Sequence, residues 1–233
     1  MIIDCIADLH GYYPKLEGGD LLIIAGDLHA RESWGAYLDF QRWLNEQDYK
    51  EIIIVAGNHD TLIQDSDVVD DLLYEHTYLC DSGTEFEWLE TEDTKWGPKH
   101  LDGCRTLKLK IWGSPWTTRF EGMNPNCMAF TVDTDEELAE KWKLIPNDID
   151  ILITHSPPYE IVDMTRDKRH VGSISLRNEI MSRIKQDGKL LNIFGHIHEC
   201  GGLKIETENT VFINASHVNE RYEPVNKPVR LEL

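Results

Sequence analysis

The stretch Leu21-Leu22-Ile23-Ile24-Ala25-Gly26-Asp27-Leu28-His29 decides how the rest of the chain is interpreted. Four consecutive large apolar residues, followed by a small-residue turn, are typical of a β-strand that is buried on both faces. The predicted strand ends in the carboxylate of Asp27. An acid in that place is often an ordinary helix cap or turn residue, so Asp27 alone predicts no chemistry.

In four other places an apolar run also ends in side chains that bind metals. These segments are Asp8-Leu9-His10, Gly57-Asn58-His59-Asp60, His155 and Gly195-His196-Ile197-His198. Carboxylate, amide and imidazole groups without a thiolate suit Mn, Fe, Zn, Co or Ni. The seven candidate ligands are enough for two divalent ions, and we expect Asp27 to bridge them. The ligands are Asp8, His10, Asp27, Asn58, His155, His196 and His198.

The length and the net charge of the chain limit the classes of protein to which it can belong. A chain of 233 residues can bury a full core, and a single domain over residues 1–233 is the simplest expectation. Acids outnumber Lys and Arg by 42 to 23, which gives a net charge of -19 and argues against a long nucleic-acid partner. A small phosphate ester stays compatible, because bound dications reverse the electric field locally.

The cysteines and the apolar runs indicate the compartment. Five cysteines without paired short spacing predict reduced thiols in a cytoplasmic protein. No run approaches the ~20 apolar residues of a membrane span, so no membrane contact is expected. A signal peptide is not expected, since the first strand begins at Met1 and already supplies Asp8. The oligomeric state stays open.

The rest of the chain alternates predicted strands with predicted helices. Helices are expected from Ser33 to about Asn45, from Asp65 to Tyr74, from a capping box at Thr134 to Lys143, and from Ser173 or Ser175 to about Lys185. In the first of these helices we expect an apolar stripe of Trp34, Leu38 and residues 40–44 to face the core.

The loop Gly113-Ser114-Pro115-Trp116-Thr117-Thr118-Arg119-Phe120 has two interpretations. Trp116 or Phe120 stacks on a substrate base while Arg119 contacts phosphate, or the loop packs its Trp inward. Arg31 and Arg169 are the other two cations on segments expected to approach the site. His29, His217 and the segment 85–99 have no assigned role.

The ordered series Asp-x-His, Gly-Asp, Gly-Asn-His-Asp, His and Gly-His-x-His resembles the calcineurin-like metallophosphoesterases. Further similarity, to the MPPED (metallophosphoesterase-domain-containing) branch, lies in Lys141–Pro146, Asp148–Pro158, Gly113–Trp116 and Ile213–Ser216. The resemblance implies an α/β (α+β) fold in which two mixed β-sheets form a sandwich flanked by helices.

The resemblance also implies roles for the site residues. One metal would be bound by Asp8, His10, Asp27 and His198, the other by Asp27, Asn58, His155 and His196, with Mn the first choice of ion. His59 would protonate the leaving oxygen, and Asp60 would orient His59. Some animal members carry Gly at the position of His196, so its presence here implies an intact second metal site.

The function expected from these features is a dinuclear metal-dependent phosphoesterase that attacks in line through a metal-bridging hydroxide. Small diesters such as cyclic nucleotides are the expected substrates, because a monoester dianion usually needs more Arg or Lys than this acidic chain offers. The MPPED branch includes cyclic-nucleotide phosphodiesterases. The alternatives are a phosphomonoesterase or protein phosphatase of the same fold, or a non-catalytic metal-binding scaffold.

Overall fold

A computed structural model describes residues 1–29, 33–89, 91–94, 97–100, 106–120, 122–183 and 189–233. Arg31 and the expected helix end at Lys185 lie outside the described residues. None of the helices in the described ranges has the length and apolar character needed to cross a membrane.

The described residues form strands and helices in alternation, much as the sequence predicts. The strands are β1 Ile2–Ile6, β2 Gly19–Ala25, β3 Tyr49–Val55, β4 Thr77–Tyr78, β5 Ser82–Leu89, β6 Thr91–Thr94, β7 Gly97–His100, β8 Thr106–Ser114, β9 Thr117–Thr118, β10 Thr131–Val132, β11 Ile151–Thr154, β12 Leu190–Phe194, β13 Lys204–Glu206, β14 Thr210–Asn214 and β15 Val229–Glu232. The helices are α1 Trp34–Asn45, α2 Ser66–Leu73, α3 Asp135–Trp142 and α4 Ile174–Arg183. Short 3₁₀ turns cover Leu62–Gln64 and His198–Cys200.

Two large mixed sheets contain most of these strands. The first has the order β15-β1-β2-β3-β4, with β1 to β4 parallel and β15 antiparallel to β1. The second has the order β13-β14-β12-β11-β8-β5, with parallel central strands and antiparallel strands at both edges. The mixed-sheet fold predicted from the sequence is therefore confirmed.

The alternating side chains of β2 show why this strand lies at the centre of the fold. Leu21 and Ile23 belong to the apolar core between the two sheets, together with Ile153 of the second sheet. Leu22 and Ile24 face the opposite side and pack under α1 and α2. A third apolar cluster covers the outer face of the second sheet with α3 and α4. The strand is buried on both faces, as its continuous apolar run predicts.

The predicted helix caps are present, but one predicted helix face differs. Ser33 Oγ accepts a hydrogen bond from the amide of Ala36 at 3.2 Å, and the capping box at Thr134 forms both of its hydrogen bonds. In α1, however, Trp34 and Leu38 are about half exposed. The buried face instead follows Tyr37, Phe40, Trp43 and Leu44, because a helix turns 100° per residue and places Trp34 and Leu38 away from that arc.

Candidate metal centre

Five strand ends bring the candidate ligands together. Asp8 and His10 follow β1, Asp27 follows β2, Asn58 and His59 follow β3, His155 follows β11, and His196 and His198 follow β12. In parallel strands the carboxyl ends lie at one edge of the sheet, and in this sandwich both sheets place those ends at a common site. All seven predicted ligands are buried or nearly buried there.

The first group of donors consists of Asp8, His10, Asp27 and His198, whose ligand atoms all lie within 4.8 Å of one another. The Nε2 atoms of His10 and His198 are 3.2 Å apart, and His10 Nε2 lies 3.7 Å from Asp27 Oδ2. His198 Nε2 lies 3.4 Å from Asp8 Oδ1. Two carboxylates and two imidazoles converging on one point are the donors that a divalent transition metal binds.

The second group surrounds the other oxygen of Asp27. Asp27 Oδ1 is 3.4 Å from His155 Nε2, which in turn is 3.1 Å from Asn58 Oδ1. The ring of His196 lies 4.9 Å, centre to centre, from the ring of His155. Asp27 therefore presents Oδ2 to the first group and Oδ1 to the second, which is the arrangement that a bridging carboxylate requires.

The backbone at these strand ends is unusual in a way that fits a built site. Asp8, His10, Asp27 and His196 have φ values of 50°, 44°, 55° and 68°, in the left-handed region that side-chain-bearing residues rarely adopt. Each such residue costs about 1–3 kcal/mol and persists where the surrounding structure enforces it. Finding four of them among seven candidate ligands points to a functional constraint on the backbone.

Two glycines are needed because a ligand side chain passes directly over them. A Cβ atom on Gly57 would lie 2.2 Å from Asp27 Oδ1, and one on Gly195 would lie 2.2 Å from Asp8 Oδ2. Both distances are far inside van der Waals contact. The glycines next to Asn58 and His196 are therefore explained by close approach to the two carboxylates.

Hydrogen bonds around the ligands leave the metal-facing atoms available. His155 Nδ1 lies 3.1 Å from the carbonyl oxygen of Ala25, so this nitrogen donates its proton there and Nε2 faces Asp27. Asp8 Oδ2 accepts hydrogen bonds from Ser216 Oγ at 2.5 Å and from the amide of His196 at 2.9 Å. The segment of residues 214–217 thus returns to the site through Ser216.

The charges within the cluster differ from ring to ring. Burial lowers the pKa of His10 to about 4 and that of His196 to about 3, so both rings are neutral at pH 7. Burial also lowers the pKa of His155, but Asp27 outweighs it and raises that pKa to about 9. Burial raises the pKa of Asp8, yet the adjacent His198 lowers it to about 2. Two buried carboxylates with histidine partners therefore fit divalent cations well.

His59 lies at the edge of this cluster with its side chain mostly buried. Its Nε2 is 3.8 Å from Asp27 Oδ2, and its Nδ1 is 3.4 Å from the sulfur of Cys127. The structure gives Asp60 a different position from the predicted one. Its two carboxylate oxygens accept hydrogen bonds from the amides of Leu28 at 3.0 Å and Gly57 at 2.7 Å. Asp60 therefore ties two ligand loops together instead of orienting His59.

A cavity of about 640 Å³ opens beside the cluster and is lined in part by His59 and by the predicted substrate residues Phe120 and Arg169. The other two predicted substrate residues point elsewhere. Trp116 Nε1 donates to Asp81 Oδ2 at 2.8 Å, and the Trp116 ring lies edge-on against Phe130. The structure thus corrects the substrate-stacking interpretation of Trp116 in favour of inward packing, because its polar atom and its ring both find partners inside the fold.

Arg119 is likewise held away from the cavity. Its Nε donates to Thr131 Oγ1 at 2.9 Å and its guanidinium pairs with Asp133 Oδ1 at 2.8 Å. The expected phosphate contact of Arg119 is corrected accordingly, since Thr131 of β10 and Asp133 just after it bind the guanidinium. His29 is buried, where its Nδ1 meets the hydroxyl of Tyr13 at 2.8 Å. His217 Nδ1 donates to the carbonyl of Asn226 at 2.7 Å.

Two further residues, Tyr222 and Cys127, lie at the site without being predicted from the sequence. The ring of Tyr222 lies 4.8 Å from that of His10 and 5.1 Å from that of His198, with its backbone also in the left-handed region at φ 60°. Cys127 lines the cavity and touches His59. Neither residue belongs to a recognisable motif, so no signal in the sequence distinguishes them.

The fold and the donor cluster define the class of protein, and comparison with known families agrees. A family model described as Calcineurin-like phosphoesterase matches residues 1–200. This chain belongs to that family, as the ordered motifs predicted. Members of the family typically depend on two metal ions.

Among individual proteins, the chain is 32% identical over 240 residues to Metallophosphoesterase domain-containing protein 1 of Homo sapiens, and equally to that of Mus musculus. Each alignment covers 98% of this chain and 70% of the relative. The solved structure of phosphopantetheinyl hydrolase from Mycobacterium tuberculosis superposes with a TM-score of 0.54, at 16% identity, over 94% of this chain and 90% of that chain. This last likeness concerns the fold alone.

Proposed function

We propose that the chain is a dinuclear metal-dependent phosphodiesterase that hydrolyses small diesters such as cyclic nucleotides. The observation that carries the proposal is the position of Asp27, whose Oδ2 lies 3.7 Å from His10 Nε2 while its Oδ1 lies 3.4 Å from His155 Nε2. One ion would be held by Asp8, His10, Asp27 and His198, and the other by Asp27, Asn58, His155 and His196. Two such ions, when bound, supply Lewis-acid activation of a water and of the phosphoryl oxygens.

His59 is the residue that supports catalysis over simple metal binding. It lines the cavity and is placed beside the shared carboxylate without belonging to either donor group. From this position its Nε2 delivers a proton to the leaving oxygen of the ester, a contribution worth about 10²–10⁴-fold in rate. A scaffold that only binds metal has no use for such a residue.

The charges around the cavity favour a diester over a monoester. Of the described residues that line it, Arg169 is the only Lys or Arg, whereas Glu199 and Glu220 are acidic. Even Arg169 is largely exposed and pairs with Asp167. A monoester dianion is usually held by several cationic side chains, while a diester monoanion is adequately balanced by two metals. The exposed ring of Phe120 on the cavity wall offers a surface for a base to stack on.

The test compares esters on one metal-loaded preparation. Protein stripped with a chelator is reloaded separately with Mn, Fe, Zn, Co or Ni. The value of kcat/KM is then measured for bis-nitrophenyl phosphate, 2′,3′-cyclic AMP and nitrophenyl phosphate. We expect no turnover by the stripped protein and a preference for the two diesters after reloading, with Mn the most effective ion.

The possible results separate the alternatives. A preference for nitrophenyl phosphate would overturn the diesterase assignment and favour a phosphomonoesterase. Full activity of the stripped protein would overturn the metal-dependent mechanism. If metal binds stoichiometrically but none of the three esters turns over with any ion, the chain is a metal-binding scaffold.

A further inference from the structure

The loop of residues 124–129 reaches the loop after β3 at three points. The amide of Ala129 donates to the carbonyl of Asn58 at 3.1 Å. The side-chain amide of Asn58 donates through Nδ2 to the carbonyl of Cys127, also at 3.1 Å. The sulfur of Cys127 lies 3.4 Å from His59 Nδ1. A single residue, Cys127, therefore touches both a candidate metal ligand and the candidate proton donor.

We propose that Cys127 is a positioning residue, which fixes the ring of His59 through its thiol and the amide of Asn58 through its carbonyl. This inference rests on the proposed function, because it concerns how His59 donates its proton. It assigns to Cys127 the orienting task that the sequence suggested for Asp60. In the structure the carboxylate of Asp60 instead accepts hydrogen bonds from the backbone amides of Leu28 and Gly57.

The carbonyl group of Cys127 determines how the side-chain amide of Asn58 is oriented. Because Nδ2 is taken by the carbonyl of Cys127, Oδ1 is left facing His155 Nε2 at 3.1 Å, on the side of the second donor group. An amide binds a metal through its oxygen, so this orientation is the productive one. The contact uses the main chain of Cys127 and is kept when its side chain is replaced.

The thiol of Cys127 determines which ring nitrogen of His59 keeps its proton after the other proton has been donated. In the acid form both ring nitrogens are protonated, and Nδ1–H donates to the sulfur of Cys127. When the ester bond breaks, the Nε2–H bond breaks and an O–H bond forms on the leaving oxygen. The ring becomes neutral with its remaining proton on Nδ1, still donated to the sulfur. The thiol keeps its own proton throughout and takes part in no bond change.

The burial of Cys127 suits a fixed acceptor. The residue is 8% exposed, and its amide donates to the carbonyl of Asn124 at 2.9 Å, which closes a turn. The same loop is anchored at its far end, where the amide of Thr117 donates to the carbonyl of Phe130 at 3.1 Å. The sulfur therefore has a defined position relative to the His59 ring.

The experiment uses the full chain loaded with zinc, which is diamagnetic. The variants are Cys127→Ala, Cys127→Ser, His59→Ala and the double variant that combines Cys127→Ala with His59→Ala. Cys80→Ala is the control for loss of a thiol elsewhere. Turnover is measured on 2′,3′-cyclic AMP, whose leaving group is an alcohol, and on bis-nitrophenyl phosphate, whose leaving group needs little protonation. Nitrogen NMR of the His59 ring reports which nitrogen is protonated.

We expect Cys127→Ala to keep its metal content and KM and to lose about 10-fold in kcat on 2′,3′-cyclic AMP, with a smaller loss on bis-nitrophenyl phosphate. Cys127→Ser should recover part of the loss, because its hydroxyl also accepts from Nδ1–H. The double variant should be no slower than His59→Ala, since the two residues act as a unit. In the NMR spectrum the Nδ1–H signal of the neutral ring should be lost or averaged in Cys127→Ala but kept in Cys80→Ala.

Several results would overturn the inference: equal losses on both esters, additive effects in the double variant, or an unchanged His59 signal in Cys127→Ala. Failure of the proposed function is distinguishable, because it shows as absent turnover in the unmodified chain. The NMR comparison then still decides whether Cys127 fixes the ring.

Discussion

The site is assembled from two regions of different construction. The candidate ligands lie at the ends of five central strands, within a turn or two of residues that are fully buried in the sandwich. Part of the cavity wall and the contact to His59 come instead from the β9–β10 loop, described at residues 119–120 and 122–130, which joins two strands of only two residues each. The first region is held by continuous sheet hydrogen bonds and core packing, the second by a few separate main-chain and side-chain contacts. We therefore expect metal binding and proton donation to fail separately.

The largest effect is expected at the carboxylate that both donor groups share. Asp27→Asn should lose metal from both groups and reduce kcat/KM by roughly 10³-fold or more, since the metals contribute several kcal/mol of charge stabilisation and each 1.36 kcal/mol is tenfold. Metal analysis and steady-state kinetics measure the two consequences.

A matched control is Asp163→Asn, which alters another buried carboxylate that pairs with a histidine, His170, at 2.6 Å. This variant should keep its metal. Equal metal content in Asp27→Asn and the unmodified chain would show that Asp27 is not the bridge.

The next largest effect separates proton donation from metal binding. His59→Ala should keep its full metal content and lose about 10²–10⁴-fold on 2′,3′-cyclic AMP, which needs a proton on its leaving oxygen. The loss should be much smaller on bis-nitrophenyl phosphate. An identical loss on both esters would mean that His59 binds the phosphoryl group and does not act as an acid.

The third expectation concerns pH and is confined to the strand-end region. Without metal, Asp27 outweighs the effect of burial and raises the pKa of His155 to about 9, so His155 carries a proton at pH 7. A metal must displace that proton, and its affinity for the second donor group should therefore rise with pH, by up to about tenfold per unit below that pKa. Calorimetric titration in two buffers of different ionisation enthalpy counts the proton released. Affinity that is constant from pH 6 to 8 would contradict this linkage.

The smallest effect is expected in the β9–β10 loop. Arg119→Met removes the contacts of Arg119 to Thr131 and Asp133, but an exposed pair of this kind contributes only about 0.2–1 kcal/mol. Turnover of 2′,3′-cyclic AMP should fall less than about fivefold, with metal content unchanged, and the amides of Cys127 and Ala129 should exchange hydrogen faster.

Arg177→Met is the matched control for that variant, because Arg177 forms a similarly exposed pair with Glu160 outside the loop. Faster exchange at Ala129 in both variants would show that the Arg119 contacts do not hold the loop specifically. Loss of metal in Arg119→Met would contradict the expectation that metal binding and proton donation fail separately.

The strand-end region could be predicted from the sequence for a physical reason. A continuous apolar run such as Leu21–Ala25 can only be buried on both faces, and parallel strands place their carboxyl ends at one edge. Motifs at those ends then indicate the candidate ligands residue by residue. The left-handed backbone of Asp8 and Asp27 could not be predicted, since nothing in their residue type requires it.

The loop region could not be predicted because its contacts are tertiary. The sequence around Trp116 permits both inward packing and stacking on a substrate, and only the presence of Asp81 and Phe130 decides between them. Tyr222 reaches His10 across more than two hundred residues of sequence, and its own neighbours in the chain give no sign of it. Asp60 was misassigned because adjacency in sequence does not imply contact between side chains.

The pairing of β1 with β15 has a consequence for how the protein is made. Asp8 is synthesised long before its partners His198 and Ser216, and the separation from Ser216 is 208 residues. Until Val229–Glu232 pairs with Ile2–Cys5, the edge of β1 stays open on the nascent chain. Contacts of such long sequence separation form slowly. The first donor group is therefore complete only after translation has passed His198, so the nascent chain offers no four-donor site before that point.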